Sequence, residues 1–368
     1  MADQVHTSQE VINNLLRKKS VDRVGAYEIF WHYTLKKWVE QGYPTDQENK
    51  PVDPVSHFKL DMRRTGGGFR VSPLLIPDEI IEETDEWIIK RNGAGAALKG
   101  WTHTAGTPEH IDFRMTSREV WERDCRPHLL EVNPERINVE EATKALAANL
   151  TEKRWSFYGN LFVWENMRQS MGDICLYESL LLDPGWIHDY NRVYTDFFKA
   201  HFKLLFDKAG LPNGIWIFED MGYRDRLFCS PKTYAELIFP YSRELVEFLH
   251  SYGLAVVLHS CGNITGVMDQ IVDAGFDALN PMEVKAGCDI MDFARRYGDR
   301  LVLVGGFDVR ILESNDRRLI GQKVGEHVDK MKSLGARYVF GSDHSITTNV
   351  DYDSYRYALD VCREHMNY

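Results

Sequence analysis

An apolar run, Val256-Val257-Leu258, delivers the segment His259-Ser260-Cys261-Gly262-Asn263. Positions two apart on an extended chain share a face, so the His259 imidazole and the Cys261 thiol leave the backbone in the same direction and are able to grip one ion. Gly262 permits a sharp turn, which puts the pair at a strand-to-loop rim. The plainer alternative is a hydrogen-bonded rim histidine beside a small buried cysteine. Zinc takes three or four nitrogen, sulfur or oxygen donors, so a further ligand must come from elsewhere. Asp343 and His344 directly follow the apolar stretch Val339-Phe340, and Glu283 follows Asn280-Pro281-Met282. A histidine–cysteine–oxygen set favours zinc, which tolerates mixed donors without redox chemistry. Bound zinc either holds a thiol as thiolate or polarises an oxygen so that an ether carbon bond breaks more easily.

Other groups are candidates for handling a substrate. Phe218-Glu219-Asp220-Met221-Gly222 places adjacent carboxylates at a strand end, where only one of the two should enter a pocket. Asp220 is expected to orient substrate or act as an acid, and Glu219 to act beside it or pair with a basic side chain; the alternative for either is a turn cap. Glu28, within Val24–Trp31, feeds the same region, as do Asn280 and His344 as substrate contacts. Tyr158, Phe162 and Trp164 share one parity and suggest an aromatic cavity wall, with Tyr158 and Trp164 touching substrate, although barrel packing uses the same pattern. Gly305-Gly306 permits close approach of a ligand, and Asp308 reads as a local cap.

The elements that must position these groups alternate. Candidate strands are Ser156–Val163, Gly214–Phe218, Ala255–His259, Ala278–Pro281, Leu301–Gly305 and Arg337–Phe340. Between them fall candidate helices at Asp189–Lys208, Pro231–Tyr252, Val267–Ala274, Ile290–Tyr297 and Asp316–Leu334. This order predicts an α/β fold with parallel strands and crossover helices. With no glycine-rich first turn and with polar residues at several strand ends, a TIM-type (β/α)8 barrel is preferred to an open doubly wound sheet.

Residues 1–125 should supply an N-terminal helix near Val11, Leu15 and Leu16, a first strand region, and an antiparallel cap including Asp85–Lys90 and Ala97–Trp101. Gly66-Gly67-Gly68 and Arg91-Asn92-Gly93-Ala94-Gly95 lack the spacing of a phosphate loop. Thr116 or Ser117 is placed to cap the helix that follows. The whole chain, residues 1–368, reads as one barrel domain.

Bulk properties narrow the class. Apolar residues make up 43% of the 368 positions and aromatic ones 12%, enough for a globular core. A net charge of −11, from 44 basic and 55 acidic residues, disfavours a nucleic-acid partner. No run of about 18 uncharged apolar residues occurs, and Met1–Glu10 is polar, so neither membrane insertion nor a signal peptide is expected. Six scattered cysteines fit reduced thiols and a cytoplasmic location. Surface composition leaves homo-oligomerisation open.

From Asp22-Arg23-Val24 to Gly341-Ser342-Asp343-His344 the chain resembles the uroporphyrinogen decarboxylase-like superfamily, and His259-Ser260-Cys261-Gly262-Asn263 resembles its zinc-dependent corrinoid methyltransferase branch. The resemblance implies a barrel. In that branch a His-x-Cys pair and a later ligand, commonly cysteine, bind zinc. His259 and Cys261 match the pair; no cysteine stands near Gly341-Ser342-Asp343-His344, so Asp343 is the expected oxygen replacement, with His344 in reserve. The Arg-rich, double-Phe and Asp loop of the decarboxylases is absent near the first strand, where Val24-Gly25-Ala26-Tyr27-Glu28 stands instead.

The expected activity is therefore transfer of a methyl group between a small methylated or methoxylated compound and a corrinoid (cobalamin), with O-demethylation favoured. The corrinoid would arrive on a partner protein, because the chain carries no Asp-x-His-x-x-Gly cobalamin-binding motif in an added domain. The rivals are a metal-independent decarboxylase and a non-catalytic barrel that binds a corrinoid protein.

Overall fold

The computed structural model describes residues 6–66, 68–103 and 108–368; Gly67 of the triple glycine, residues 1–5 of the polar amino terminus and residues 104–107 lie outside that description. Fourteen strands are found among the described residues. β1 (Gly25–Ala26) and β2 (Met62–Arg64) come first, followed by β3 (Glu79–Glu83), β4 (Trp87–Arg91), β5 (Ala96–Trp101) and β6 (Glu109–Phe113). Then come β7 (Trp155–Leu161), β8 (Gly214–Phe218), a short hairpin of β9 (Gly222–Tyr223) and β10 (Arg226–Leu227), and β11 (Ala255–Ser260). β12 (Ala278–Pro281), β13 (Val302–Val304) and β14 (Tyr338–Phe340) complete the set.

Eight of them form one parallel sheet in the order β1-β14-β13-β12-β11-β8-β7-β2. The remaining seam is closed by the residue before β2: Asp61 donates its N–H to the Ala26 carbonyl at 2.8 Å, and its carboxylate accepts the Ala26 N–H at 2.7 Å. The result is the expected (β/α)8 barrel, with crossover helices outside it. β3 to β6 form a four-stranded antiparallel sheet in sequence order, the anticipated cap, with β3 and β6 added to the candidate strands Asp85–Lys90 and Ala97–Trp101.

Barrel strands are buried on both faces, which divides the core in two. Tyr27, Met62, Trp155, Phe157, Trp216, Val257, Ala278, Val302 and Val339 fill the interior, and Val11, Ile12, Leu15 and Leu16 of the helix Ser8–Leu16 pack against that cluster. Residues of the other parity pack against the outer helices. In Ser156–Val163 the aromatic parity expected to line a cavity faces the outer helices: Phe157 lies in the interior, whereas Tyr158 points out, stacking on Phe206 with its hydroxyl donating to the Gly210 carbonyl at 3.0 Å.

Two boundaries differ for identifiable reasons. The strand stops at Leu161 because Val163–Leu182 is a helix, whose first amides are capped by a carboxylate from the loop after β8. The helix expected over Pro231–Tyr252 is two, Pro231–Leu237 and Phe239–Ser251, broken next to Pro240, which has no N–H to continue the ladder. Among the described residues no helix is long and apolar enough to cross a membrane.

Candidate active site at the barrel mouth

β8, β11 and β12 bring their carboxyl ends together. His259 is the fifth residue of β11 and shares its inward parity with Val257, so its ring reaches the mouth, 5.1 Å from the Phe218 ring. Cys261 follows two residues on, and its Sγ lies 3.4 Å from His259 Nε2. Asp220 arrives from the loop after β8, its Oδ1 3.8 Å from the same nitrogen. One donor atom from each of Asp220, His259 and Cys261 lies within 4.8 Å of the others.

The approach of the two loops that allows this is set by glycine. Gly262 has φ +75°, and a Cβ there would meet the Gly222 carbonyl carbon at 2.3 Å. The loops therefore pack backbone on backbone, with Gly222 N–H donating to the Cys261 carbonyl at 3.2 Å and Cys261 N–H donating to Asp220 Oδ1 at 2.9 Å.

Asn280, expected to touch substrate, orients the histidine. Its Nδ2 donates to the Val304 carbonyl at 3.0 Å, so its Oδ1 faces His259 Nδ1 at 2.6 Å and must accept. His259 then carries its proton on Nδ1, and Nε2 presents a lone pair to Cys261 and Asp220. A metal-ligating histidine needs this arrangement. Burial pushes the Cys261 thiol well above its usual range, with Asp220 and Glu283 adding to the effect, so the cluster as it stands favours a neutral sulfur.

The donor set fits a zinc ion. Tetrahedral bonds of about 2.0–2.3 Å place ligand atoms roughly 3.3–3.8 Å apart. The two separations around Nε2, 3.4 and 3.8 Å, are of that size.

Asp343, the expected third ligand, is not brought to this cluster. It is fully buried, and its two oxygens accept from the Val284 and Val309 amides, each at 2.8 Å. It ties the loops after β12, β13 and β14 to one another. The same device recurs around the rim. Glu283 accepts from Gly262 N–H at 2.7 Å and pairs with Lys285 at 3.1 Å, joining the β12 and β11 loops. Among the described residues Glu219 meets no basic partner; its oxygens accept the Trp164 and Glu165 amides at 3.1 and 2.7 Å and cap the helix Val163–Leu182. Burial nevertheless holds its carboxyl well above the usual range against those two hydrogen bonds. Trp164 is buried, with Nε1 donating to the Asp220 carbonyl at 2.8 Å, so it braces the β8 loop. Asp308 pairs with Arg310 and caps the helix Val309–Glu313, in its expected structural role.

Glu28 is a different case. Its Oε1 is 2.8 Å from Ser342 Oγ, and the same hydroxyl contacts the His344 carbonyl. Oε1 accepts from that hydroxyl and from the Ile29 N–H at 3.1 Å, and Oε2 accepts the Ser342 N–H at 3.0 Å. Burial outweighs these hydrogen bonds and pushes the Glu28 carboxyl up to about 8, which favours the neutral acid at neutral pH. Glu28, His259, Cys261, Asn280 and His344 line a cavity of about 60 Å³, and the His344 ring lies 5.4 Å from Trp31.

A parallel barrel whose carboxyl-end mouth gathers three dissimilar metal-donor atoms beside a neutral carboxylic acid has the architecture of a barrel enzyme. Residues 177–365 match the family described as uroporphyrinogen decarboxylase (URO-D), just over half of the sequence, and the chain belongs to that family. The fold is shared with a methyltransferase from Methanosarcina mazei at a TM-score of 0.69, covering 97% of this chain and 98% of that one at 14% identity. An endo-beta-1,4-xylanase from Gloeophyllum trabeum and a D-psicose 3-epimerase from Clostridium cellulolyticum H10 fit more loosely, both at a TM-score of 0.40 over 63% of this chain. They are covered over 83% and 85% of their own lengths, at 9% and 15% identity. No curated protein matches the sequence.

Proposed function

We propose that this chain is a cytoplasmic, zinc-dependent methyltransferase that moves a methyl group between a small methylated or methoxylated compound and a corrinoid carried by a partner protein. The observation that supports the reading most directly is the convergence of Asp220, His259 and Cys261 at the barrel mouth. These three would hold the metal, with Asp220 in the place expected of Asp343. Zinc bound there would supply Lewis acidity toward the donor's oxygen, or toward sulfur when a thiol is the acceptor.

The protein's own groups have separable tasks. Asn280 keeps His259 in the tautomer with a free Nε2. The small cavity between Glu28 and Cys261 admits the methyl-bearing end of the donor and little else. In the O-demethylation direction the carbon–oxygen bond breaks, the methyl group passes to the reduced corrinoid, whose electron pair forms the new bond, and the oxygen is left needing a proton. Glu28, neutral and lining the same cavity, supplies it and recovers a proton from solvent before the next turnover.

Membership of the URO-D family favours decarboxylation as the second reading, with Glu28 as proton donor and no need of a metal. The test is incubation of the zinc-loaded protein with reduced corrinoid protein and a panel of methanol, methylamines, methoxylated compounds and methylthiols. Methylation of the corrinoid by one donor is expected. Carbon dioxide release from an aromatic or porphyrinogen acid without corrinoid, and no methylation by any donor, would overturn methyl transfer.

A further inference from the structure

The rim carboxylates are each engaged by backbone amides or by a basic partner, yet two guanidinium groups beside the mouth have no acidic partner among the described residues. Arg64 ends β2, on the strand edge next to β7. Its Nη2 donates to the Gly159 carbonyl at 3.2 Å, and its Cζ lies 5.7 Å from the Phe218 ring centroid. Gly159 makes the space: a Cβ there would meet Arg64 Nε at 3.2 Å and the Phe218 ring at 3.2 Å.

Arg136 is 3% exposed. It donates only to carbonyl oxygens, those of Arg70, Ser72, Pro73 and His128, and its Nε finds no acceptor among the described residues. Both arginines line one cavity of about 850 Å³, together with Gly66, Gly68 and Asn160. Asn160 is itself more than nine-tenths buried, and its Nδ2 has no acceptor among the described residues. Two acidic residues, Glu135 and Glu141, also line the cavity; both are exposed, and Glu141 already accepts from Asn138 at 3.0 Å.

Arg136 is a buried cation without a counter-charge, which is unfavourable, and beside it the exposed Arg64 offers a planar guanidinium fork shaped for a carboxylate. The Phe218 ring neighbours both groups: the Arg64 Cζ lies 5.7 Å from its centroid and the His259 ring 5.1 Å from it. We infer that the methyl donor is itself an anion, a methoxylated carboxylic acid, whose carboxylate pairs with Arg64 while its methoxy end passes Phe218 to reach His259 and Cys261. Arg136 adds positive potential beneath the carboxylate without touching the reacting carbon. The identity of the donor's far end rests on the methyl-transfer reading, whereas the anion site does not.

Calorimetric titration of the whole zinc-loaded chain with matched pairs separates the two. The pairs are 4-methoxybenzoate against 4-methoxybenzamide, and methoxyacetate against methoxyacetamide, with acetate alone as a further arm. At least one carboxylate is expected to bind about tenfold or more tighter than its amide. Arg64→Met should abolish the preference, Arg64→Lys should keep part of it, and zinc content should be equal in all three proteins. Equal affinity within both pairs, or a preference that survives in Arg64→Met, would overturn the inference. So would acetate binding as tightly as the methoxylated acids, which would make the site a general anion site. A carboxylate preference lost in Arg64→Met but accompanied by no methyl transfer to any corrinoid would leave the anion site standing and remove the methyl-transfer reading.

Discussion

Asp220 and Asp343 are both carboxylates at strand ends, and their surroundings divide their work. Asp343 is occupied by two buried amides, so Asp343→Ala should leave zinc content unchanged while lowering stability by roughly 1–3 kcal/mol for each amide left without an acceptor. Asn280→Ala should do the opposite: a small stability effect and zinc affinity lower by about 10–100-fold, because His259 loses the acceptor that fixes its tautomer. Zinc titration alongside urea unfolding reads both. A fall in zinc content in Asp343→Ala would return that residue to the ligand set. The pairing of His259 with Cys261 was legible in the sequence because a two-residue spacing on a strand is a local fact. The third donor was not, because which loop carboxylate turns inward depends on amides offered by neighbouring loops, and nothing in the chain near Asp220 or Asp343 records that. Tyr158 shows a related limit: alternation gives two faces but does not say which one is the interior.

At the level of elements, the barrel strands were visible as short apolar runs, and the register of β8 against β11, with Phe218 opposite His259, is what aligns their loops. The helix Val163–Leu182 was hidden because its start is capped not by its own N-terminal residue but by Glu219, more than fifty positions away in sequence. Loop contact across strands is also where the site is most sensitive. Gly262→Ala places a methyl group into the Gly222 backbone, so it should cost zinc binding although no ligand is touched; retention of full zinc affinity would show that the loops have room to part. Outside the barrel, Glu244 on the helix Phe239–Ser251 accepts from Arg192 and Lys199 of the neighbouring helix Pro184–Ala209. The Arg192 hydrogen bonds are the largest factor holding its carboxyl down at about 2, from an ordinary 4.5. A carboxyl lowered by folding stabilises the folded state above its unfolded value and loses that contribution as pH falls. The stability difference between the wild type and Glu244→Gln should therefore be constant above about pH 4.5 and vanish on approaching pH 2. Thermal melts across that range check it, and a difference unchanged at pH 2 would contradict it.

Across the whole molecule, the carboxyl-end rim is fastened by a chain of carboxylate-to-amide links. Glu28 joins the β1 and β14 loops, Asp343 those of β12, β13 and β14, Glu283 those of β12 and β11, Asp220 those of β8 and β11, and Glu219 those of β8 and β7. β2 contributes Arg64 in place of such a link, and the larger cavity opens beside it. Asp343, Glu283 and Glu219 are spent on holding loops, whereas Asp220 also faces His259 and Cys261 and Glu28 also lines the small cavity, so these are the groups poised for a ligand. Everything proposed for the chemistry follows from Asp220, His259 and Cys261 sharing one cation. The most direct measurement is elemental analysis of the purified chain, before and after incubation with zinc, beside the His259→Ala/Cys261→Ser double variant. About one zinc per chain in the wild type, and almost none in a double variant with an unchanged circular dichroism spectrum, is the predicted result. A wild-type protein that takes up no zinc under either condition, or a double variant that retains it, would contradict the account.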